Sequence, residues 1–139
     1  MTALIVDETG AQRLVGYTID VSQPDRRARC RLIVGDRHLN RHGVLHGGIA
    51  MTLLDNACGA TASLTVDETG RTPFLTISFT TDFLAAGKPG GVTAVGRITG
   101  GGRSLKFMAA ELLHDDGTLI ATASGVFKRV PGLDTGGDA

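Results

Sequence analysis

Asp55 is the residue whose position most needs a reason. It is a carboxylate set within the largely apolar run Ile49-Ala50-Met51-Thr52-Leu53-Leu54-Asp55-Asn56-Ala57. Burying an ionised carboxylate with neither partner nor task is costly. A carboxylate kept in such a place can take a proton or attack an electrophile. The stretch Asn40-Arg41-His42-Gly43-Val44-Leu45-His46-Gly47-Gly48 leads into that run. Gly47 and Gly48 let the backbone turn tightly and leave the first N–H groups of a helix unobstructed. Together with the positive end of the helix dipole, such N–H groups can hold a developing oxyanion. A buried acid downstream of oxyanion donors suits attack on a carbonyl carbon.

One long element must position both. From Gly48, the residues Leu53, Leu54, Ala57, Ala60, Thr61 and Leu64 recur at the three-and-four spacing of a buried helix face. Ala and Leu are strong helix formers, so propensity and pattern agree on a helix to about Leu64. Asp55 lies seven residues beyond Gly48, roughly 10 Å along the axis at the standard rise. Attack needs an oxygen within about 3.5 Å of the carbonyl carbon and donors within about 3 Å of its oxygen. One straight helix does not easily supply both to one carbonyl. If Gly47 and Asp55 share a site, two chains contribute to it, and a homodimer is expected.

The rest of the chain reads as strands. Residues 1–12 read as a loose arm or short helix, and 131–139, rich in Gly and Asp, as a flexible tail. Residues 15–23 alternate and end at the turn signal Pro24-Asp25. Arg27, Arg29 and Arg31 then alternate with Ala28, Cys30 and Leu32, a strand whose basic side is a solvated face. Phe74–Phe83 follows the helix, with Leu75, Ile77, Phe79 and Phe83 expected on one face and Thr76, Ser78, Thr80 and Asp82 on the other. Strands over 92–99, 104–114 and 119–130 complete the chain, separated by Gly-rich or Asp-Gly turns. Strands linked by short turns should pair antiparallel with their neighbours, with the helix packed on the sheet. The fold class is α+β, in one domain over 1–139.

Composition narrows the function. Fourteen basic and fourteen acidic residues cancel, and the basic ones are scattered, against nucleic acid as the main partner. No apolar run approaches the ~20 residues of a membrane span. The amino end lacks the basic region and cleavage site of a signal peptide. Cys30 and Cys58 read as two packed, reduced thiols, and no Cys/His spacing resembles a zinc site. A cytoplasmic protein without membrane or metal is expected.

Asn40-x-x-Gly43-x-x-His46-Gly47-Gly48, with Asp55 on the following helix, resembles the hotdog-fold acyl-CoA thioesterases. The most similar subgroup is the phenylacetate-degradation type, which includes the acyl-CoA thioesterase 13 group. The resemblance spans roughly residues 12–130. It implies a curved antiparallel sheet around one central helix, hydrolysis of an aryl- or medium-chain acyl-CoA, and coenzyme A as part of the substrate with no separate cofactor. It also implies a homodimer, with a dimer of dimers common. By resemblance, the Gly47 N–H polarises the thioester carbonyl and Asp55 of the partner is nucleophile or general base. Asn40 positions water or thioester, His46 shapes the loop, and Thr76 stands near the reacting centre. Gly48, Arg103 and Ser104 are candidates for substrate binding, with Lys106 a weaker one. A sister group has a Glu with a Thr four residues on; here that later position is Gly59.

Plainer readings stand beside these. Asn is a common turn former, His46 could only fix its loop, and Gly47 and Gly48 could be steric glycines. The stretch Gly100–Ser104 lacks the spacing of a phosphate loop and reads as a turn. Leu39, Leu45, Leu54 and Phe83 are candidates for the acyl pocket. Two alternatives to hydrolysis remain: a non-catalytic acyl-CoA binder, and a hotdog dehydratase or hydratase, for which the required His–acid pairing is not found.

Overall fold

The structure is a computed structural model and describes residues 3–133. Its main helix, α2, runs over Gly47–Leu64, within a residue of its expected limits. It follows β1 (Leu4–Ile5), α1 (Gly10–Val15), β2 (Thr18–Asp20) and β3 (Arg29–Val34). After it come β4 (Phe74–Phe83), β5 (Gly90–Gly101), β6 (Leu105–His114) and β7 (Leu119–Arg129). All seven strands form one antiparallel sheet in the order β1-β2-β3-β5-β6-β7-β4.

α2 touches β2, β3, β4, β5, β6 and β7. Strands sit about 4.8 Å apart, so six of them span well over the ~10–12 Å width of a helix. The sheet must therefore curve around α2, as expected of a hotdog fold. The packed helix face is Leu53, Leu54, Ala57 and Cys58, all with no exposure. It meets Val92, Ala94, Met108, Leu112, Ala121 and Phe127 from the sheet in one core.

Several expectations change. Of its two readings, the N-terminal arm takes the short helix, as α1, and is not loose from residue 3 on. Its strand β1 pairs with β2, and α1 is capped by Thr9 and anchored by buried Gln12, whose amide donates to Ile5 O and Tyr17 O. The strand expected over 15–23 shrinks to β2, because Val15 ends α1 and Gly16 takes a left-handed φ of 94°. Beyond the turn Pro131–Leu133, the expected tail lies outside the described residues. β4 does not pair with its sequence neighbour β5; it runs beside β7 at the far edge. Crossing to β5 is feasible because three strand spacings, about 14 Å, lie within reach of six linking residues at about 3.3–3.6 Å each.

The alternation expected along β4 also fails. A β-bulge between Thr76 and Ser78 inserts one residue against β7. Phe79, Thr81 and Phe83 face the helix side, and so does Thr76, which stands opposite buried Phe127. Leu75 shares the outer face with Ser78, Thr80 and Asp82. Elsewhere the plainer readings hold. Arg29 pairs with Asp25, Arg31 pairs with Asp115, and Cys30 and Cys58 are buried free thiols.

Candidate active site

The approach to α2 is built as a closed loop. Leu39 and Leu45 form an isolated antiparallel bridge, and the His46 N–H donates to His38 O at 2.8 Å. Asn40 closes the loop between them. Its N–H donates to Val44 O at 2.8 Å, and its side-chain oxygen accepts from the N–H groups of His42 and Val44 at 2.9 and 3.3 Å. This is the turn-forming use of Asn. From the other side the Leu45 N–H donates to Gly87 O at 2.7 Å, so the β4–β5 link holds the start of the helix in place.

His46 is the N-cap of α2, a position usually held by Ser, Thr, Asp or Asn. Its Nδ1 accepts the Gly48 N–H at 2.9 Å. The Ile49 and Ala50 N–H groups both donate to His46 O at 3.0 Å. Of the four N–H groups that open a helix, only that of Gly47 has no acceptor among the described residues. Gly48 is committed to its cap, so it offers surface and not a donor. Its lack of a side chain matters, because a Cβ there would stand 3.0 Å from the imidazole. Beside Gly47 lies the ring of Phe83, 3.4 Å from where a Cβ would be.

Two turns along, Asp55 is half-buried, and the Thr76 hydroxyl donates to its Oδ1 at 2.6 Å. Burial raises the Asp55 pKa above the ordinary 3.8, and the Thr76 bond opposes that rise. The nearby Cys58 thiol is pushed up to about 12, first by burial and then by the Asp55 charge, so it stays protonated. Asn56 turns the other way, accepting from the Tyr17 hydroxyl at 3.3 Å.

Grooves lie on both sides of Asp55. One of about 370 Å³ is bordered by Gly48, Met51, Thr52, Asp55, Thr76 and Phe79. The other, about 340 Å³, runs between the second half of α2, the start of β4 and the N-terminal segment. Asp55 and Thr76 belong to both. The fold thus brings together Asp55, Thr76 and Gly48 of the expected site. Gly47 is eight residues from Asp55 on the same helix, about 12 Å along its axis. Asn40 and His46 stay at the helix approach, and Arg103 and Ser104 sit in the β5–β6 turn, bordering neither groove. Leu39, Leu45, Leu54 and Phe83 border neither as well; Leu45 and Leu54 are core. Met51 and Phe79 were not anticipated, although Met51 is four residues before Asp55 and helical spacing alone sets it alongside. Among the described residues, no three His, Cys, Asp or Glu side chains gather as metal ligands would. None of the described helices is long and apolar enough to cross a membrane.

Residues 42–121 match the family model of the thioesterase superfamily. The chain belongs to that superfamily. Human acyl-coenzyme A thioesterase 13 is 29% identical to it over 79% of this chain and 78% of its own. The solved structure of conserved protein PA5202 from Pseudomonas aeruginosa is 29% identical, with a TM-score of 0.77 over 88% of this chain and 94% of that one. The PaaI protein of the E. coli phenylacetic acid degradation operon superposes at a TM-score of 0.75, over 89% and 86%. At 23% identity it bears on the fold alone, and that fold is the hotdog. This superfamily member carries the one helix-opening N–H without an acceptor among the described residues and its half-buried acid on one helix, about two turns apart.

Proposed function

We propose that the protein hydrolyses the thioester of an aryl- or medium-chain acyl-CoA to free acid and coenzyme A. The observation that carries this reading is Asp55: a carboxylate on an apolar helix, held by Thr76 at 2.6 Å, with a groove on either side. The Asp55 carboxylate supplies the electron pair, to a water proton or to the carbonyl carbon itself. The Gly47 N–H receives the oxyanion that forms. The C–S bond then breaks, and coenzyme A leaves as thiolate and takes up a proton. Where water attacked, the acid is released directly. Where the carboxylate attacked, a second water cleaves the acyl–Asp55 anhydride to release the acid and restore Asp55. Asn40 lends its carboxamide NH2, which makes no hydrogen bond among the described residues, to water or thioester. His46 acts as a cap, with its Nδ1 engaged by Gly48.

The site is shared by two copies. About 12 Å of helix separates Gly47 from Asp55, too far for one carbonyl. Among the described residues β4 lies at the sheet edge with one side unpaired, and Leu75, Ile77 and Phe83 on it are 51%, 59% and 54% exposed. Long apolar edges of this kind call for a covering partner. A second copy laid against β4 and the groove beside Met51 would bring its Gly47 toward Asp55. Pairs of such dimers can form the larger assembly. The coenzyme A tail runs to the β5–β6 turn, where Arg103 and Ser104 are exposed. The two free cysteines support a cytoplasmic location.

Release of free thiol from a panel of acyl-CoAs tests the reading. Turnover that disappears in Asp55→Asn is expected. Tight binding without thiol release would make the protein an acyl-CoA binder instead, and water addition to an enoyl-CoA would make it a hydratase.

A further inference from the structure

Apart from proline, glycine is the least favourable residue inside a helix. Gly59 nevertheless occupies the interior of α2. Other glycines of this fold are demanded by their neighbours. A Cβ at Gly96 would lie 2.4 Å from Ala57 O, where β5 presses on the helix, and one at Gly125 would lie 2.5 Å from Ser78 O. At Gly59 a Cβ would meet only Phe127 Cε2, at an ordinary 3.8 Å, and the residue has no positive φ. Neither packing nor backbone conformation asks for glycine there.

The missing side chain instead opens a space. Gly59 borders the groove of about 340 Å³ that also holds Asp55, Thr76, Phe74 and Phe127. It stands four residues after Asp55, hence on the same helix face, one turn deeper. Phe127 stands next to Gly59, and Ile19, Ala60 and Phe74 add apolar surface to the same groove. The lining also includes polar Thr9, Thr72 and Arg71, whose guanidinium pairs with Glu8.

We propose that Gly59 is a specificity-determining residue: the room left by its absent side chain receives the acyl group and limits it to about one aromatic ring. The inference rests on the thioesterase reading of the Asp55 site. A closed cavity of about 150 Å³ holds benzene. A groove about twice that size takes a ring with its linker. A long chain would outrun that volume and its few apolar residues, giving up the apolar burial that favours it.

The test compares kcat/KM for acetyl-, phenylacetyl- and dodecanoyl-CoA in the full-length wild type, Gly59→Ala and Gly59→Val. Wild type should prefer the phenylacetyl thioester. A change of one methylene in an apolar pocket is worth roughly 10–200-fold. The phenylacetyl-to-acetyl ratio should therefore fall about tenfold in Gly59→Ala and further in Gly59→Val. Gly59→Ala should also melt about 2–4 °C higher, since it gains helix propensity without a clash. An unchanged ratio in Gly59→Ala, a lower melting temperature for it, or a wild-type preference for dodecanoyl-CoA overturns the proposal. Should Gly59→Val fail to fold, Gly59→Ala decides alone. Wild type that cleaves no thioester sinks the thioesterase reading and this inference with it. Hydrolysis with an unshifted ratio sinks only this one.

Discussion

Helix α2 has two sides that share eighteen residues and little else. Leu53, Leu54, Ala57 and Cys58 are wholly enclosed against the sheet. Gly48, Met51, Thr52 and Asp55, at the same three-and-four spacing, face a groove. The enclosed side is uniform in chemistry and closely packed, as a side that holds the fold together must be. On the open side, one residue has no side chain, one is a soft thioether, one is a hydroxyl and one a carboxylate. Apolar periodicity therefore locates the helix and its enclosed stripe. The chemistry of the open side has to be read from its odd residues.

Substitutions on the two sides should separate stability from turnover. Asp55→Asn keeps the shape and removes the charge, and loss of an essential base costs at least about a hundredfold. Thiol release should fall by that much while the far-UV spectrum and acyl-CoA binding are unchanged. Its stability should not drop at neutral pH. Burial raises the Asp55 pKa above its unfolded value, so the ionised form is the one the fold disfavours. Stability linked to this group is present below the unfolded pKa and is lost as pH rises through the folded one. Asp55→Asn escapes that loss, so its melting temperature at pH 7 should equal or exceed wild type, and the gap should close on acidification. Leu53→Ala should do the opposite, losing about 2–5 kcal/mol of stability while the folded fraction keeps its turnover. A variant Asp55→Asn with more than a tenth of wild-type turnover would remove Asp55 from the chemistry.

The start of the open side can be probed by removing a single hydrogen. Gly47 is the first residue of α2, where proline is tolerated. The preceding His46, at φ −61° and ψ 132°, already has the backbone that precedes proline. Gly47→Pro should therefore keep the helix, set a Cβ in contact with the Phe83 ring and delete the unengaged N–H. Loss of one oxyanion donor costs about 10²–10³ in kcat. Gly47→Pro and Asp55→Asn, unfolded and refolded together in equal amounts, give mixed dimers in about half the population by symmetry. Each mixed dimer has one site with both defects and one with neither, so about a quarter of wild-type turnover should return. Proven exchange with no recovery would mean that Gly47 and Asp55 act within one chain.

How much of this was legible depends on the range of the interactions involved. α2 and the limits of β4 follow from local periodicity and were readable to within a residue. The ordering of 3–15 was not, because it depends on Gln12 reaching Ile5 and Tyr17 and on β1 finding β2. Placement of β4 beside β7 is a long-range pairing for which adjacent turns give no cue. The site was half legible. An acid in an apolar run of sequence marks Asp55, and paired glycines mark the helix start. Gly59 offered the signal of a lone glycine within a helical pattern, but its groove exists only where β4 and the N-terminal segment meet α2. The bulge at Ile77 left no mark at all, since Phe74–Phe83 alternates convincingly without it.

That bulge leads to the smallest effect on the open side. With Phe79, Thr81 and Phe83 facing the helix, strict alternation would turn Thr76 outward; the extra residue turns it back to Asp55. Thr76 works through Asp55 by lowering a pKa that burial raises. Thr76→Val keeps the volume and deletes the donor. A net hydrogen bond of about 0.5–1.5 kcal/mol corresponds to about two- to tenfold in rate, far less than the loss in Asp55→Asn. Catalysis needs the Asp55 carboxylate, so turnover falls as pH drops through the folded pKa. Without the Thr76 hydroxyl only the raising influence remains, and the acid limb of kcat/KM should move to higher pH. Thr76→Ser should return the limb to its wild-type position, because the hydroxyl is restored and only a methyl is lost. A merely structural Thr76 would lower melting temperature and rate at every pH and leave the limb in place, and that outcome would strip Thr76 of its part in tuning Asp55.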